Sequence, residues 1–123
     1  HRFFGHTNHP VRKLLDAGIN VGLGTDSLAS NDTLSILDEI KFLFLHYAIS
    51  PKNLLAMATL NGAKALGLES KVGQIKEGFE ADLCGIRLPD AYPKDVYDQF
   101  LDDASENIFT MVSGVMCYQA SSH

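Results

Sequence analysis

The carboxylate of Asp26 occupies a position at which α/β proteins commonly carry out chemistry. It comes two residues after Gly24, at the end of the short apolar run 19–24, among small residues that leave room above the run. In parallel α/β barrels, functional groups lie at the carboxyl ends of the strands. Asp26 is therefore a candidate functional residue. The alternative is that it caps a turn, a common role of aspartate in loops, and spacing alone leaves both interpretations open.

The segments before Asp26 have the pattern of a parallel α/β unit. Residues 10–17 are predicted to form a short helix because their apolar residues share one face. Gly18 follows, as glycine often does just past the end of a helix. Residues 19–24 are predicted to form a strand that is buried on both faces, because the run is apolar and rich in glycine. A helix, a tight turn and a buried strand are typical of α/β architecture.

Three further helices are predicted after the Asp26 loop. The first covers 33–48, with Asn31 or Asp32 as its cap, and its wide apolar stripe indicates that it is covered on two sides. The second begins at the cap Ser50, which is followed by a proline suited to the first helical position. Asn61 is predicted to cap the last, short helix.

From residue 72 onward the apolar period changes to two, which favours strands. The predicted elements of this part are strands over 72–76, 81–86, 108–112 and 115–118 and a helix over 95–101. The last two strands are predicted to form a hairpin across Ser113 and Gly114. The chain is thus predicted to divide into an α/β part, residues 1–68, and a mostly β part, residues 69–123.

The composition excludes several classes of partner. The chain has 123 residues and a net charge of −5, with no basic stripe for nucleic acid and no polybasic run for a membrane surface. No apolar run reaches the roughly 18 residues of a membrane span. Cys84 and Cys117 lack metal-binding spacing and are expected to be reduced thiols in strands of a cytoplasmic protein.

Three stretches together resemble one enzyme family. They are "LLDAGINVGLGTDSLASND" at 14–32, "MATLNGAKALGL" at 57–68 and "VGQIKEGFEADL" at 72–83, and the opening "HRFFG" fits the same pattern. In this order they resemble the carboxyl-terminal part of the amidohydrolase superfamily, in its deaminase and chlorohydrolase branch. That branch includes methylthioadenosine/S-adenosylhomocysteine, guanine and aminofutalosine deaminases.

The resemblance implies a fold and a role for Asp26. The implied fold is α/β: the last strand and helices of a TIM-type (β/α)8 barrel, plus the carboxyl-terminal part of a small β-sandwich, as a fragment of a larger fold. The matching aspartate of the family binds a divalent metal, usually zinc or iron, and takes a proton from the metal-bound water. The implied reaction is hydrolytic deamination of a purine-like or related ring amine, a small-molecule substrate.

Two alternatives remain open at this point. One is a hydrolase of the same superfamily that removes chloride or opens a cyclic amide, since the same metal chemistry serves these reactions. The other is a truncated, non-catalytic chain that only associates with another polypeptide. The chain begins without a methionine, which suggests a fragment, and association with a missing amino-terminal half or with a second copy is expected.

The histidines that the family uses as metal ligands have no counterpart in this sequence. His6 and His9 have a spacing of three, but they do not match the family's ligands. Because a catalytic zinc needs about three protein ligands, the chain alone is expected to be inactive. Arg2 lies in the piece that resembles a substrate-facing loop and is the candidate substrate-binding residue. Asp82 is expected to fix a turn in the sandwich.

Overall fold

The computed structural model describes residues 10–29, 33–89 and 95–121. Five helices and three strands lie in these residues, in the order α1 (Val11–Asp16), α2 (Ile36–Tyr47), α3 (Pro51–Ala58), α4 (Leu60–Ala65), β1 (Leu83–Arg87), α5 (Val96–Gln99), β2 (Glu106–Val112) and β3 (Val115–Gln119). None of the helices in the described residues is long and apolar enough to span a bilayer.

The helices pack around a small apolar core. Its buried members are Val11, Ile40, Ile49, Leu54, Met57 and Phe100. They come from α1, α2, α3, the link between α2 and α3, and the residue that follows α5, so the second half of the chain contributes to the same core as the first. Leu54 is fully buried, which makes α3 the central helix of the packing.

The helix caps show where local sequence rules hold. Ser50 caps α3 as predicted, because its hydroxyl accepts a hydrogen bond from the Asn53 amide at 3.3 Å. The cap predicted for α2 is wrong. The helix begins three residues later than expected, and its cap is Ser35, whose hydroxyl accepts from the Asp38 amide at 3.2 Å. Asn31 and Asp32 lie outside the described residues.

The predicted strand over 19–24 is not formed as a strand. A strand requires a neighbour to complete its ladder of backbone hydrogen bonds, and none of the described strands lies beside this segment. Helices take that place: the Leu23 amide donates to the Met57 carbonyl at 3.1 Å. The segment is half-buried at Val21 and Leu23, whereas Ile19 is exposed.

The three strands form one antiparallel sheet in the order β1-β2-β3. The predicted hairpin between β2 and β3 is confirmed. Its two turn residues, Ser113 and Gly114, have positive φ values of 48° and 78°, as a two-residue hairpin turn of matching twist requires. Asp82 stabilises this turn, because its carboxylate accepts from the Ser113 amide at 2.8 Å, which confirms the expected structural role.

The strand predicted over 72–76 is wrong. The residues around it form consecutive turns, and Gly73 and Gly78 adopt positive φ values of 92° and 83°. A Cβ at Gly73 would lie 2.7 Å from the Cβ of Ala63, so the chain passes too close to α4 for a side chain at that position. The second predicted strand is present as β1, shifted slightly toward the carboxyl terminus.

A lysine connects the helical part to the sheet. The ammonium of Lys41, on α2, donates to the carbonyl of Ser105 at 2.9 Å. Ser105 is itself buried, and its hydroxyl donates to the Gln99 carbonyl at 2.7 Å. These bonds satisfy backbone carbonyls between α5 and β2 that would otherwise lose hydration on burial.

Candidate functional site

Asp26 lies on an exposed loop in an uncommon backbone conformation. Its φ is +59°, in the left-handed region. Aspartate tolerates this region better than most residues, yet the conformation still has an energetic cost and persists only where the surroundings impose it. Ala48 and Ser113 also have positive φ values, of 50° and 48°, and aspartate adopts this region in ordinary turns too, so both interpretations of Asp26 stay open.

The segment that leads to Asp26 is fixed to α3 and α4 by three hydrogen bonds. We call residues 19–25 the Asp26 stem. Besides the bond from Leu23 to Met57, the side-chain amide of Asn61 donates to the Val21 carbonyl at 3.1 Å. In the opposite direction, the side-chain amide of Asn20 donates to the backbone carbonyl of Asn61 at 2.9 Å. The stem is therefore held at three positions, Asn20, Val21 and Leu23.

Two glycines allow the stem to approach α4. A Cβ built on Gly22 would lie 3.1 Å from the Cα of Gly62, which is tighter than most Cβ contacts in proteins. Backbone therefore meets backbone at this point. Asn61 directly precedes Gly62 on α4. The residue that binds the stem is therefore adjacent to the glycine that permits its close approach.

The predicted role of Asn61 as a helix cap is wrong. α4 begins at Leu60 with Thr59 at the cap position, and no side chain caps it there. Asn61 lies inside the helix and uses its side chain on the stem instead. The partner of Asn61 lies 40 residues away, and no local sequence pattern indicates such a contact.

The described residues contain no complete metal site. Among residues 10–29, 33–89 and 95–121, no three histidine, cysteine, aspartate or glutamate side chains come together in a way that could hold an ion. A catalytic zinc requires about three protein ligands. Asp26 alone therefore does not fit a whole metal site, and any further ligands belong outside this part of the chain.

The remaining candidates divide into two groups. Several lie outside the described residues, namely Arg2, His1, His6, His9 and His123. His46 is described and has a packing role, because its ring stacks on that of Phe42 with centroids 4.2 Å apart. Its Nδ1 lies 2.8 Å from the Phe42 carbonyl, one helical turn earlier. Cys84 and Cys117 are free, exposed thiols in β1 and β3, as expected.

Comparison with solved structures defines the class of protein. The fold is similar to that of the guanine deaminase of E. coli, with a TM-score of 0.78 and 26% identity, over 97% of this chain and 32% of that one. It is also similar to an adenosine deaminase from Xanthomonas campestris solved with bound zinc, with a TM-score of 0.76 and 28% identity, over 87% of this chain and 27% of that one. Both are deaminases by name and have the amidohydrolase fold, and the chain matches one part of that fold.

The chain belongs to the amidohydrolase family, whose sequence model matches residues 5–117. It is 48% identical over 82 residues to the 5-methylthioadenosine/S-adenosylhomocysteine deaminase of Thermococcus onnurineus. The aligned residues cover 60% of this chain and 19% of the relative. It is also 39% identical over 97 residues to the 5'-deoxyadenosine deaminase of Methanosarcina barkeri. This alignment covers 72% of this chain and 22% of that relative. The chain thus spans about a fifth of the length of these curated relatives.

Proposed function

We propose that this chain is the carboxyl-terminal part of a hydrolytic deaminase that acts on a purine-like ring amine. The observation that carries the proposal is the position of Asp26, a left-handed aspartate at the end of a stem fixed to two helices. The names of the relatives, which are deaminases of adenosine derivatives, support the substrate class. In the reaction, the oxygen of water bonds to the ring carbon, the bond from that carbon to the amine breaks, and ammonia leaves.

We propose that Asp26 contributes one carboxylate ligand to a divalent metal, with zinc as the first candidate. A divalent metal lowers the pKa of bound water and so supplies hydroxide near neutral pH. With the metal bound, the carboxylate of Asp26 would accept a proton from the attacking water and pass it to the leaving amine, which is general acid–base catalysis by a positioned side chain. The zinc bound to the Xanthomonas campestris structure supports the choice of metal.

The other ligands and the contact to the substrate lie beyond the described residues. Because one carboxylate cannot hold a catalytic zinc, we propose that they come from an amino-terminal part, carried on the same polypeptide or on an associated one. A homo-oligomer is the accompanying proposal for the assembly. Arg2 remains our proposal for a side chain that contacts the substrate, and the boundary between residues 68 and 69 remains our proposal for the division into two parts.

The proposal is tested by substituting Asp26 in the full-length protein of the source organism. Asp26→Asn and Asp26→Ala should lower the release of ammonia from methylthioadenosine by about a thousandfold or more, because a metal ligand and a proton acceptor are lost together. The far-ultraviolet circular dichroism spectrum should not change, since the side chain is exposed. Zinc content, measured by mass spectrometry, should fall.

Asp98→Asn is the matched control, because Asp98 is an exposed aspartate on α5 that takes part in none of the three hydrogen bonds that fix the stem. It should keep both zinc and activity. Full activity of Asp26→Ala would refute the assignment of Asp26, and loss of activity in the Asp98 variant would show that the assay responds to unspecific damage.

A further inference from the structure

We propose that Asn61 is a positioning residue of the candidate site. It fixes the Asp26 stem against α4 through the Val21 carbonyl and so determines where the Asp26 carboxylate stands. The inference rests on the proposed function for its chemical meaning, but the contact on which it depends is a property of the chain alone.

The chemistry of the contact leaves one orientation for the side chain of Asn61. A backbone carbonyl only accepts hydrogen bonds, so the group that faces Val21 must be the Nδ2 amide. The bond is half-buried, in contrast to the exposed bond from Asn20 to the carbonyl of Asn61. Since a buried carbonyl that loses its donor is costly, the bond to Val21 is the stronger constraint of the two.

The composition of α4 supports a dedicated role for this residue. The helix has only six residues, and two of them, Asn61 and Gly62, are poor helix formers. Glycine in a helix interior is less favourable than alanine by about 1 kcal/mol. Both residues lie where the stem makes its closest contact, so the contact explains why a short helix contains them.

The position of the anchor explains its effect on Asp26. Val21 lies on the stem five positions before Asp26, and Leu23, bound to Met57, lies between them. Without the bond from Asn61, the stem loses its half-buried side-chain anchor, while the bond from the Leu23 amide to Met57 remains. A displacement of a reacting group by about 1 Å can lower a rate by about a hundredfold, so a small shift of the stem is sufficient to impair the site.

The test compares Asn61→Ala and Asn61→Asp with the matched control Asn53→Ala. Aspartate has the shape of asparagine but presents an oxygen to the Val21 carbonyl, so it separates the donor from the shape. Asn53 lies exposed on α3 and leaves the stem untouched; its backbone amide, which binds Ser50, is retained in the alanine variant.

The first readout is amide hydrogen exchange at Leu23, measured by NMR with the amides of β2 as internal reference. In both Asn61 variants the Leu23 amide should exchange about tenfold faster while the β2 amides are unchanged, because one half-buried hydrogen bond is lost locally. The control Asn53→Ala should leave both unchanged. If Asn61→Asp matched the parent at Leu23, shape alone would hold the stem and the inference would be overturned.

The second readout separates positioning from general damage. In the protein from its native source, kcat should fall about tenfold or more with little change in KM, and zinc affinity should fall by about 10- to 100-fold, the range typical of groups that orient a metal ligand. Equal loss of protection at Leu23 and in β2 would indicate global destabilisation and would contradict the inference.

A measurement on the unaltered chain decides the matter if the variants do not fold. The Nδ2 protons of Asn61 should exchange with solvent about tenfold more slowly than those of Asn53, because only the former are held in a half-buried bond. Equal rates would overturn the inference. The proposed function fails on a different result, namely activity that survives Asp26→Asn, so the two failures are distinguishable.

Discussion

Gly22 and Gly62 meet backbone to backbone, and a Cβ on Gly22 would stand 3.1 Å from the Cα of Gly62. The contact joins the Asp26 stem to α4 without any side chain between them. Because neither partner at this point is a flexible side-chain end, an added methyl group has nowhere to go unless the two segments separate.

Substitution of Gly22 tests this contact. Gly22→Ala should lower the free energy of unfolding by about 1–3 kcal/mol, since overpacking against backbone cannot be relieved by a rotamer change. Gly24→Ala is the matched control, because a Cβ at Gly24 meets nothing within 4 Å. It should be neutral or slightly stabilising. Urea unfolding followed by circular dichroism measures both, and equal stability of the two variants would contradict the close approach.

The burial of Leu54 predicts a large effect of truncation. Leu54 is 0% exposed at the centre of the helical core, whereas Leu45 on α2 is 73% exposed. Leu54→Ala should destabilise the chain by about 2–5 kcal/mol through lost burial and a cavity. Leu45→Ala should change the stability by less than about 0.5 kcal/mol. The same urea experiment measures both, and a small loss in the Leu54 variant would place the core elsewhere.

The carboxylate of Asp82 should matter as a hydrogen-bond acceptor and not as a charge. Asp82→Ala removes the acceptor of the Ser113 amide and should destabilise the hairpin by about 1 kcal/mol. Asp82→Asn keeps a side-chain oxygen at the same place and should retain most of the stability. Amide exchange at Ser113 reports the bond directly. Unchanged exchange in the alanine variant would show that the turn forms without this contact.

Sequence reasoning succeeded where the cause of a structure is local. The hairpin turn at Ser113 and Gly114 and the cap at Ser50 depend on residues within a few positions of each other. The functional assignment of Asp26, drawn from a glycine-rich apolar run and from the family resemblance, stays a prediction.

Sequence reasoning failed where the cause is a distant partner. Residues 19–24 have the composition of a strand, but a strand forms only beside another strand, and here α3 and α4 provide the partners. The turns around Gly73 likewise depend on the proximity of Ala63. The role of Asn61 could not be predicted because its hydrogen bond joins residues 40 positions apart.

The bond between Asn61 and Val21 has a consequence for the uniqueness of the fold. Half-buried Val21 and Leu23 alternate with exposed glycines along the stem. A slip by one residue would turn Val21 and Leu23 to the opposite face. The side-chain amide of Asn61 binds a single carbonyl, that of Val21, and the stem can approach α4 closely only where Gly22 meets Gly62. Together these two contacts select a single alignment of the stem. Asn61 and Gly62 therefore select the alignment of the stem, and this alignment determines the position of Asp26.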